Sequence, residues 1–183
     1  MIWLRSTVFH LAFWAWTIIL GLLGIPTLFY APLARRLAML WVDGTLFLLR
    51  SICGLDVVVR GREYISSHAA VYTAKHQSTL DTLVLWKLLG GPAFILKKQL
   101  LLIPVFGWYL ARCEPIAIIR SLGAKMLPHI IAQAIAKLGA QRSIVIFPEG
   151  TRTKPYAKVA YKLAGTSAIY ESTQATLIPV ALN

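Results

Sequence analysis

Lys75-His76-Gln77-Ser78-Thr79-Leu80-Asp81 sets a histidine and an aspartate five positions apart, directly after an apolar run. Inside one helix five residues turn through about 500°, so the two side chains would not share a face. The spacing works if His76 lies in a strand-to-helix loop and Asp81 in the first turn of the helix. There the carboxylate can reach back to the imidazole. A histidine that donates one ring N–H to a carboxylate has a fixed tautomer, and its other nitrogen is a free base. That is the base and orienter of a triad, without a protein nucleophile. The alternative is structural. Ser78-x-x-Asp81 has nearly the form of a capping box, which accounts for Asp81 and gives His76 no task.

Phe147-Pro148-Glu149-Gly150-Thr151-Arg152 is the second segment of interest. An apolar strand runs into a proline, an acid, a glycine, a hydroxyl and a guanidinium. Open α/β sheets bind ligands at the carboxyl ends of their strands. Arg152, the Thr151 hydroxyl and the Gly150 backbone suit a phosphate there. The plainer reading is a type II turn with Pro148 at its second position and a surface arginine beyond it. Lys97 and Arg120 also follow apolar strands. Taken singly, each is a solvated or lipid-facing cation; together with His76 they describe one sheet edge suited to an anionic substrate. No H-E-x-x-H, G-x-S-x-G, G-x-G-x-x-G or Walker A sequence occurs, so nothing supports the chemistries those motifs carry.

These residues need a scaffold. Val57 to Val59, Ala69 to Ala74, Ala93 to Leu96, Ile116 to Ile119, Ser143 to Phe147 and Thr176 to Leu182 read as strands. Asp81 to Leu89, Phe106 to Arg112, Leu122 to Leu138 (with Pro128 inside) and Tyr161 to Glu171 read as helices. Alternating strands and helices give an α/β fold with a largely parallel sheet. The uniformly apolar Ile144-Val145-Ile146-Phe147 fits a strand covered on both faces. A strand this close to Asn183, with nothing after it, leads us to expect that the domain at 56–183 lacks a C-terminal piece.

The 183 residues are 57% hydrophobic and only 14% charged, with 19 Lys and Arg against seven Asp and Glu. Such a chain buries too much apolar surface to be disordered. Basic and apolar together favour anionic lipid over nucleic acid. Cys53 and Cys113 form no disulfide framework and read as buried free thiols, which suits a reducing compartment. Thr7 to Ala34 carries no Asp, Glu, Lys or Arg, and one histidine, His10. Thr7 to Ile25 has the length of a membrane-crossing helix. Pro26 and Pro32 break it, Arg35 and Arg36 follow, and a second apolar stretch runs from Leu37 to Leu55. The run is longer than a signal-peptide core and has no clean cleavage site. Residues 1–55 are therefore expected to anchor the chain, as a hairpin in one leaflet in preference to a span.

Taken together, the segments resemble the glycerolipid acyltransferase family, which includes 1-acylglycerol-3-phosphate acyltransferases. The family's N-H-x4-D motif is met by Lys75 to Asp81. Its second motif is met by Pro115 to Arg120, its F-P-E-G-T-R by Phe147 to Arg152, and its V-P-V-like strand by Ile178-Pro179-Val180. Lys97 to Leu100 and Ile103 to Trp108 are also similar to the family. Lys75 stands where Asn is frequent, Gln99 where Glu is common, and Ile119 where Asp or Asn often precedes the arginine. The resemblance covers Val57 to the end of the chain.

The resemblance implies direct transfer of a fatty acyl group from acyl-CoA or acyl-carrier protein to the free hydroxyl of lysophosphatidate, giving phosphatidate in phospholipid biosynthesis. His76 would be the base and Asp81 its orienter. Glu149, Gly150, Thr151, Arg152 and Arg120 would bind the glycerol phosphate, with Lys97 as a further phosphate partner. No metal and no bound cofactor are implied. Expected partners are membrane lipid and the acyl donor, at the cytoplasmic face of the inner or plasma membrane, and no nucleic acid. Glycerol-3-phosphate, a lysophospholipid or a lyso-aminolipid are the rival acceptors. A basic membrane-binding module without catalysis is the rival of another class.

Overall fold

The computed structural model describes residues 2–154, 157 and 159–182. Five strands, β1 (Val71–Ala74), β2 (Ala93–Lys97), β3 (Ile116–Ile118), β4 (Ile144–Ile146) and β5 (Leu177–Val180), form one sheet in the order β3-β2-β4-β1-β5. Every pairing is parallel. All five carboxyl ends therefore lie along one edge of the sheet. The α/β fold with a parallel sheet and flanking helices is thus as expected.

Parallel strands are covered on both faces, and their composition follows. On one face Tyr72, Ala74, Phe94 and Val145 pack with Leu83, Leu85 and Trp86 of helix α3 (Thr79–Leu88). On the other, Val71, Ile116, Ile144 and Ile146 meet Ile130 and Ala134 of α5 (Leu127–Gly139) and Ile169 of α6 (Ala164–Thr173). Helix α4 (Phe106–Arg112) follows β2.

Three sequence expectations change, the first only in its boundary: the helix expected from Tyr161 begins at Ala164. Val57 to Val59 is not a strand: it pairs with nothing, and Val58 is 79% exposed. Branched side chains favour a strand only where a neighbouring edge and a core face are available, and this segment has neither. The helix expected from Leu122 begins only at Leu127, after a 3-10 segment with Gly123 at φ +50°. Pro128 starts the helix; it needs no N–H in the first turn, where none would be bonded.

The N-terminal region is a helical hairpin. Helix α1 (Ile2–Leu23) turns through a 3-10 segment holding Pro26 into α2 (Ala31–Leu48), with Pro32 in its first turn. The helices are tied by their indoles: Trp16 Nε1 donates to the Trp41 carbonyl (3.2 Å) and Trp41 Nε1 to Thr17 Oγ1 (3.0 Å). Gly44 lets the Trp16 ring lie directly on the α2 backbone. Helix α2 sends Val42 into the core cluster that also holds Leu83, and Lys87 pairs with Asp43 at 2.7 Å. The Tyr109 hydroxyl of α4 donates to the Gly21 carbonyl at 2.9 Å. Helix α2 runs back along α1 and docks on the α/β layer, so the two helices form a hairpin. Helix α1 buries no residue, and Leu11, Trp14, Ile18 and Leu22 are open on its outer face. It is long and apolar enough to cross a membrane by length and composition.

Gly44 gives a direct test of the hairpin. Gly44→Ala would drive a methyl group into the Trp16 indole, and overpacking of this kind costs about 1–3 kcal/mol. Thermal unfolding in detergent should show the loss. Gly139→Ala, where a methyl meets nothing within 4 Å, should be neutral or mildly stabilising.

Candidate active site

Helix α3 begins where the sequence suggested, and both readings of Asp81 are realised together. Ser78 is the N-cap, Asp81 is the third helical residue, and the capping box is formed. Asp81 Oδ2 accepts the backbone N–H groups of Ser78 (2.8 Å) and Gln77 (2.6 Å), and Oδ1 accepts the Ser78 hydroxyl (2.9 Å). The same Oδ2 lies 3.1 Å from His76 Nδ1. The carboxylate that caps the helix therefore also fixes the imidazole. With Nδ1–H donated to Asp81, Nε2 carries the lone pair. Among the described residues it has no hydrogen-bond partner.

Burial pushes the Asp81 carboxyl pKa up, but hydrogen bonds from the Ser78 and Gln77 amides, the Ser78 hydroxyl and His76 outweigh it, so the net shift is downward. Asp81 is only 7% exposed and stays an anion at neutral pH, where it can stabilise an imidazolium.

His76 is gripped from a second side. Strand β4 lies beside β1, so the loop after β4 arrives at the His76 backbone. Buried Glu149 accepts the His76 N–H through Oε2 at 2.8 Å, and Thr153 donates its N–H to the His76 carbonyl, also at 2.8 Å. The imidazole stacks on Phe147, ring centres 4.1 Å apart and planes 20° from parallel. Phe147 stacks on Phe94 at 6.0 Å, and Phe94 on Trp86 at 6.3 Å. Asp81 thus sets rotation within the imidazole plane and Phe147 sets the plane itself. No sequence signal marked Phe147 or Thr153 for these tasks.

The turn at Phe147 to Gly150 is present, closed by the Gly150 N–H to the Phe147 carbonyl at 2.9 Å. It is not type II. That turn needs positive φ at its third residue, Glu149, whereas here the positive φ (+69°) falls on Gly150. Thr151 and Arg152 are exposed beside it, and Gly150 is half-buried.

Lys97 ends β2 and Arg120 follows β3, both exposed at the same carboxyl edge. In strand order they lie two and three places from β1, about 10 and 14 Å at ordinary strand spacing. His76 and the Glu149–Arg152 loop are therefore immediate neighbours, while Lys97 and Arg120 extend the edge sideways. Charge is divided unevenly. Near the opposite edge Glu114 takes Arg35 (3.7 Å), Lys137 (3.0 Å) and Arg142 (3.5 Å). Among the described residues Lys97, Arg120 and Arg152 have no carboxylate partner within 4 Å. The carboxyl edge thus keeps its positive charge for an anion.

Cys113 is buried, which pushes its thiol pKa up to about 11, and Cys53 is half-buried. A thiol raised in this way is not a reactive thiolate candidate at Cys113. Among the described residues no group of three or more His, Cys, Asp or Glu is placed to hold a metal ion.

Comparisons with known proteins give the family and the fold. The Acyltransferase family model matches residues 56–183. A 1-acyl-sn-glycerol-3-phosphate acyltransferase of Pseudomonas aeruginosa is 32% identical, over 98% of this chain and 71% of its own. One from Cocos nucifera is 31% identical, over 82% of this chain and 49% of its own. The chain thus spans about half the length of the second relative. The crystal structure of the 1-acyl-sn-glycerophosphate acyltransferase PlsC from Thermotoga maritima superposes with a TM-score of 0.68 at 24% identity, covering 99% of this chain and 84% of that one. It shares the fold.

The Asp81 interaction has a pH signature. A carboxyl with a lowered folded-state pKa contributes stability that is complete above its ordinary value of 3.8 and lost as pH falls through the lowered value. Asp81→Asn should therefore be less stable than the parent above about pH 5, and the gap should close under acid. Urea unfolding at stepped pH would show it. A gap constant down to about pH 2 would mean that the charge contributes nothing.

Proposed function

The chain belongs to the acyltransferase family, and from that premise we propose that it transfers a fatty acyl group from an acyl thioester to the free hydroxyl of lysophosphatidate, forming phosphatidate. The observation that carries the reading is the His76–Asp81 pair, clamped by the Glu149 carboxylate and Thr153 amide at the carboxyl edge of the sheet.

In this reading His76 Nε2 takes the proton of the acceptor hydroxyl as its oxygen attacks the thioester carbonyl. A new ester C–O bond forms, the C–S bond breaks, and the proton passes from the imidazolium to the departing thiolate. Asp81 holds the tautomer at the start and balances the imidazolium charge during the step. The Phe147 face beneath the ring favours the same cation. Acyl-CoA or acyl-carrier protein supplies an already activated carbonyl, so the chemistry calls for no cofactor. Arg152, Thr151 and Gly150 receive the acceptor's phosphate, with Arg120 and Lys97 further along the edge. Glu149 is buried with Oε2 committed to the His76 amide, so we assign it a positioning task within the substrate-binding loop.

A phosphate monoester carries close to two negative charges at neutral pH and suits an edge whose cations are unpaired. A zwitterionic lysophospholipid would use fewer of them, and glycerol-3-phosphate lacks the acyl chain that an apolar membrane surface would hold.

His76→Ala should lower turnover by about 10²–10⁴-fold, the range of a general base, while circular dichroism and unfolding stay close to the parent. It is a cleaner test than Asp81→Ala, which also removes a helix cap. Release of CoA thiol from acyl-CoA, with and without lysophosphatidate, measures the step. A folded His76→Ala protein with near-parental rates refutes the mechanism. An acceptor panel tests the substrate: preference for lysophosphatidylcholine or glycerol-3-phosphate would overturn the assignment and leave the acyl transfer standing.

The outer face of α1 completes the proposal, seating the enzyme on the bilayer that holds its acceptor. Replacing Ile18 and Leu22, each 54% exposed, by Glu should shift the protein from sedimenting with phosphatidylglycerol vesicles to the supernatant. Its unfolding in detergent should be unchanged. Undiminished vesicle binding would show that this face is not the anchor.

A further inference from the structure

Lys162 belongs to none of the sequence segments that suggested chemistry, yet the fold brings it to the loop after β4. Its backbone N–H donates to the Pro148 carbonyl at 2.8 Å, one residue before the Glu149 that holds His76. Its side chain lies along Gly150: a methyl group built on that glycine would sit 3.6 Å from Lys162 Cδ and 3.7 Å from Nζ. The chain between Thr153 and Lys162 is thus fastened at both ends to the catalytic loops. Thr153 donates its N–H to the His76 carbonyl, and Lys162 to Pro148.

Two features indicate what this placement suits. Lys162 is exposed, and among the described residues no carboxylate lies within 4 Å of its ammonium; the nearby Glu149 is buried with one oxygen occupied by His76. Directly after it, α6 begins with Leu163 at the N-cap, which provides no side-chain cap. Its first amides therefore present the positive end of a ten-residue helix without a protein acceptor from the cap. Gly165 of that first turn is within 3.5 Å of Ile146 at the end of β4, counting from the position a methyl group would take. The helix start and the catalytic loop are therefore adjacent.

We propose that Lys162 is part of the acceptor site and holds the phosphate monoester over Gly150, at the loop that also carries Arg152. This rests on the acceptor reading given above and adds the residue that would complete it. Arg152 contributes a planar fork and Lys162 a mobile point charge, a pairing suited to a dianion that must be bound and then released as a diacyl product. A methyl at residue 150 would touch the lysine stem only at ordinary contact distance, so the glycine there answers to the left-handed backbone at φ +69°.

The test uses the whole chain with one acyl-CoA and two acceptors that share an acyl chain, lysophosphatidate and monoacylglycerol. Lys162→Met keeps the stem that covers Gly150 and removes the charge; Lys162→Arg keeps the charge. Lys162→Met should raise KM for lysophosphatidate about 10-fold or more, as expected for loss of a charge-assisted contact. KM for acyl-CoA should hold, and the preference for lysophosphatidate over monoacylglycerol should fall by a similar factor. Lys162→Arg should recover most of the preference. Unchanged KM for lysophosphatidate in Lys162→Met would refute the site, and equal losses on both acceptors would show a structural role alone. If the parent uses monoacylglycerol as well as lysophosphatidate, the acceptor reading itself fails, and the site with it.

Discussion

A single carboxylate oxygen organises the candidate active site. Asp81 Oδ2 is shared by the amides of Gln77 and Ser78 and by the imidazole of His76. A buried anion is tolerable only when its hydrogen bonds are made, and here the donors come from the loop that must be ordered. Beginning the helix, shaping the strand-to-helix loop and fixing the tautomer of the base are therefore one event. Loss of Asp81 would therefore release the imidazole and uncap the first turn of α3 together.

The parallel sheet supplies what that local unit lacks. With β4 beside β1, a loop remote in sequence reaches both backbone polar groups of His76, through Glu149 and Thr153. Its first residue, Phe147, lies under the ring and passes the contact on through Phe94 to Trp86. The ring is held by its own helix and the backbone by its neighbour's loop. Such preorganisation suits a side chain whose free ring nitrogen must point in one direction.

Charge and apolar surface are arranged about the same edge. The acids are few, and those that form ion pairs do so mostly away from it: Glu114 with three cations near the opposite edge, Asp43 with Lys87, Asp56 with Arg50. Among the described residues Lys97, Arg120 and Arg152 at the carboxyl edge are left without a carboxylate partner. The hairpin, through Val42 and the Tyr109–Gly21 contact, is packed onto the α/β layer, so its open apolar face has a defined position relative to the site. An enzyme acting on an anionic, acylated acceptor needs both features in a fixed relation.

By itself the sequence determined what depends on local spacing. The His76–Asp81 interval, the Pro-Glu-Gly turn, the apolar β4 and the proline-broken N-terminal helices all follow from rotation per residue, backbone preference and side-chain volume. It misjudged Val57 to Val59, because strand preference is not a property of the segment alone. It also left the capping and catalytic readings of Asp81 as rivals, since spacing cannot show that one oxygen serves both. Strand order was undetermined in the chain, and it alone decides that Glu149 and Thr153 reach His76 while Arg120 lies three strands away. Phe147 under the imidazole and Lys162 over Gly150 were invisible for the same reason: a contact across 71 or 12 residues is made by packing, and no local pattern encodes it.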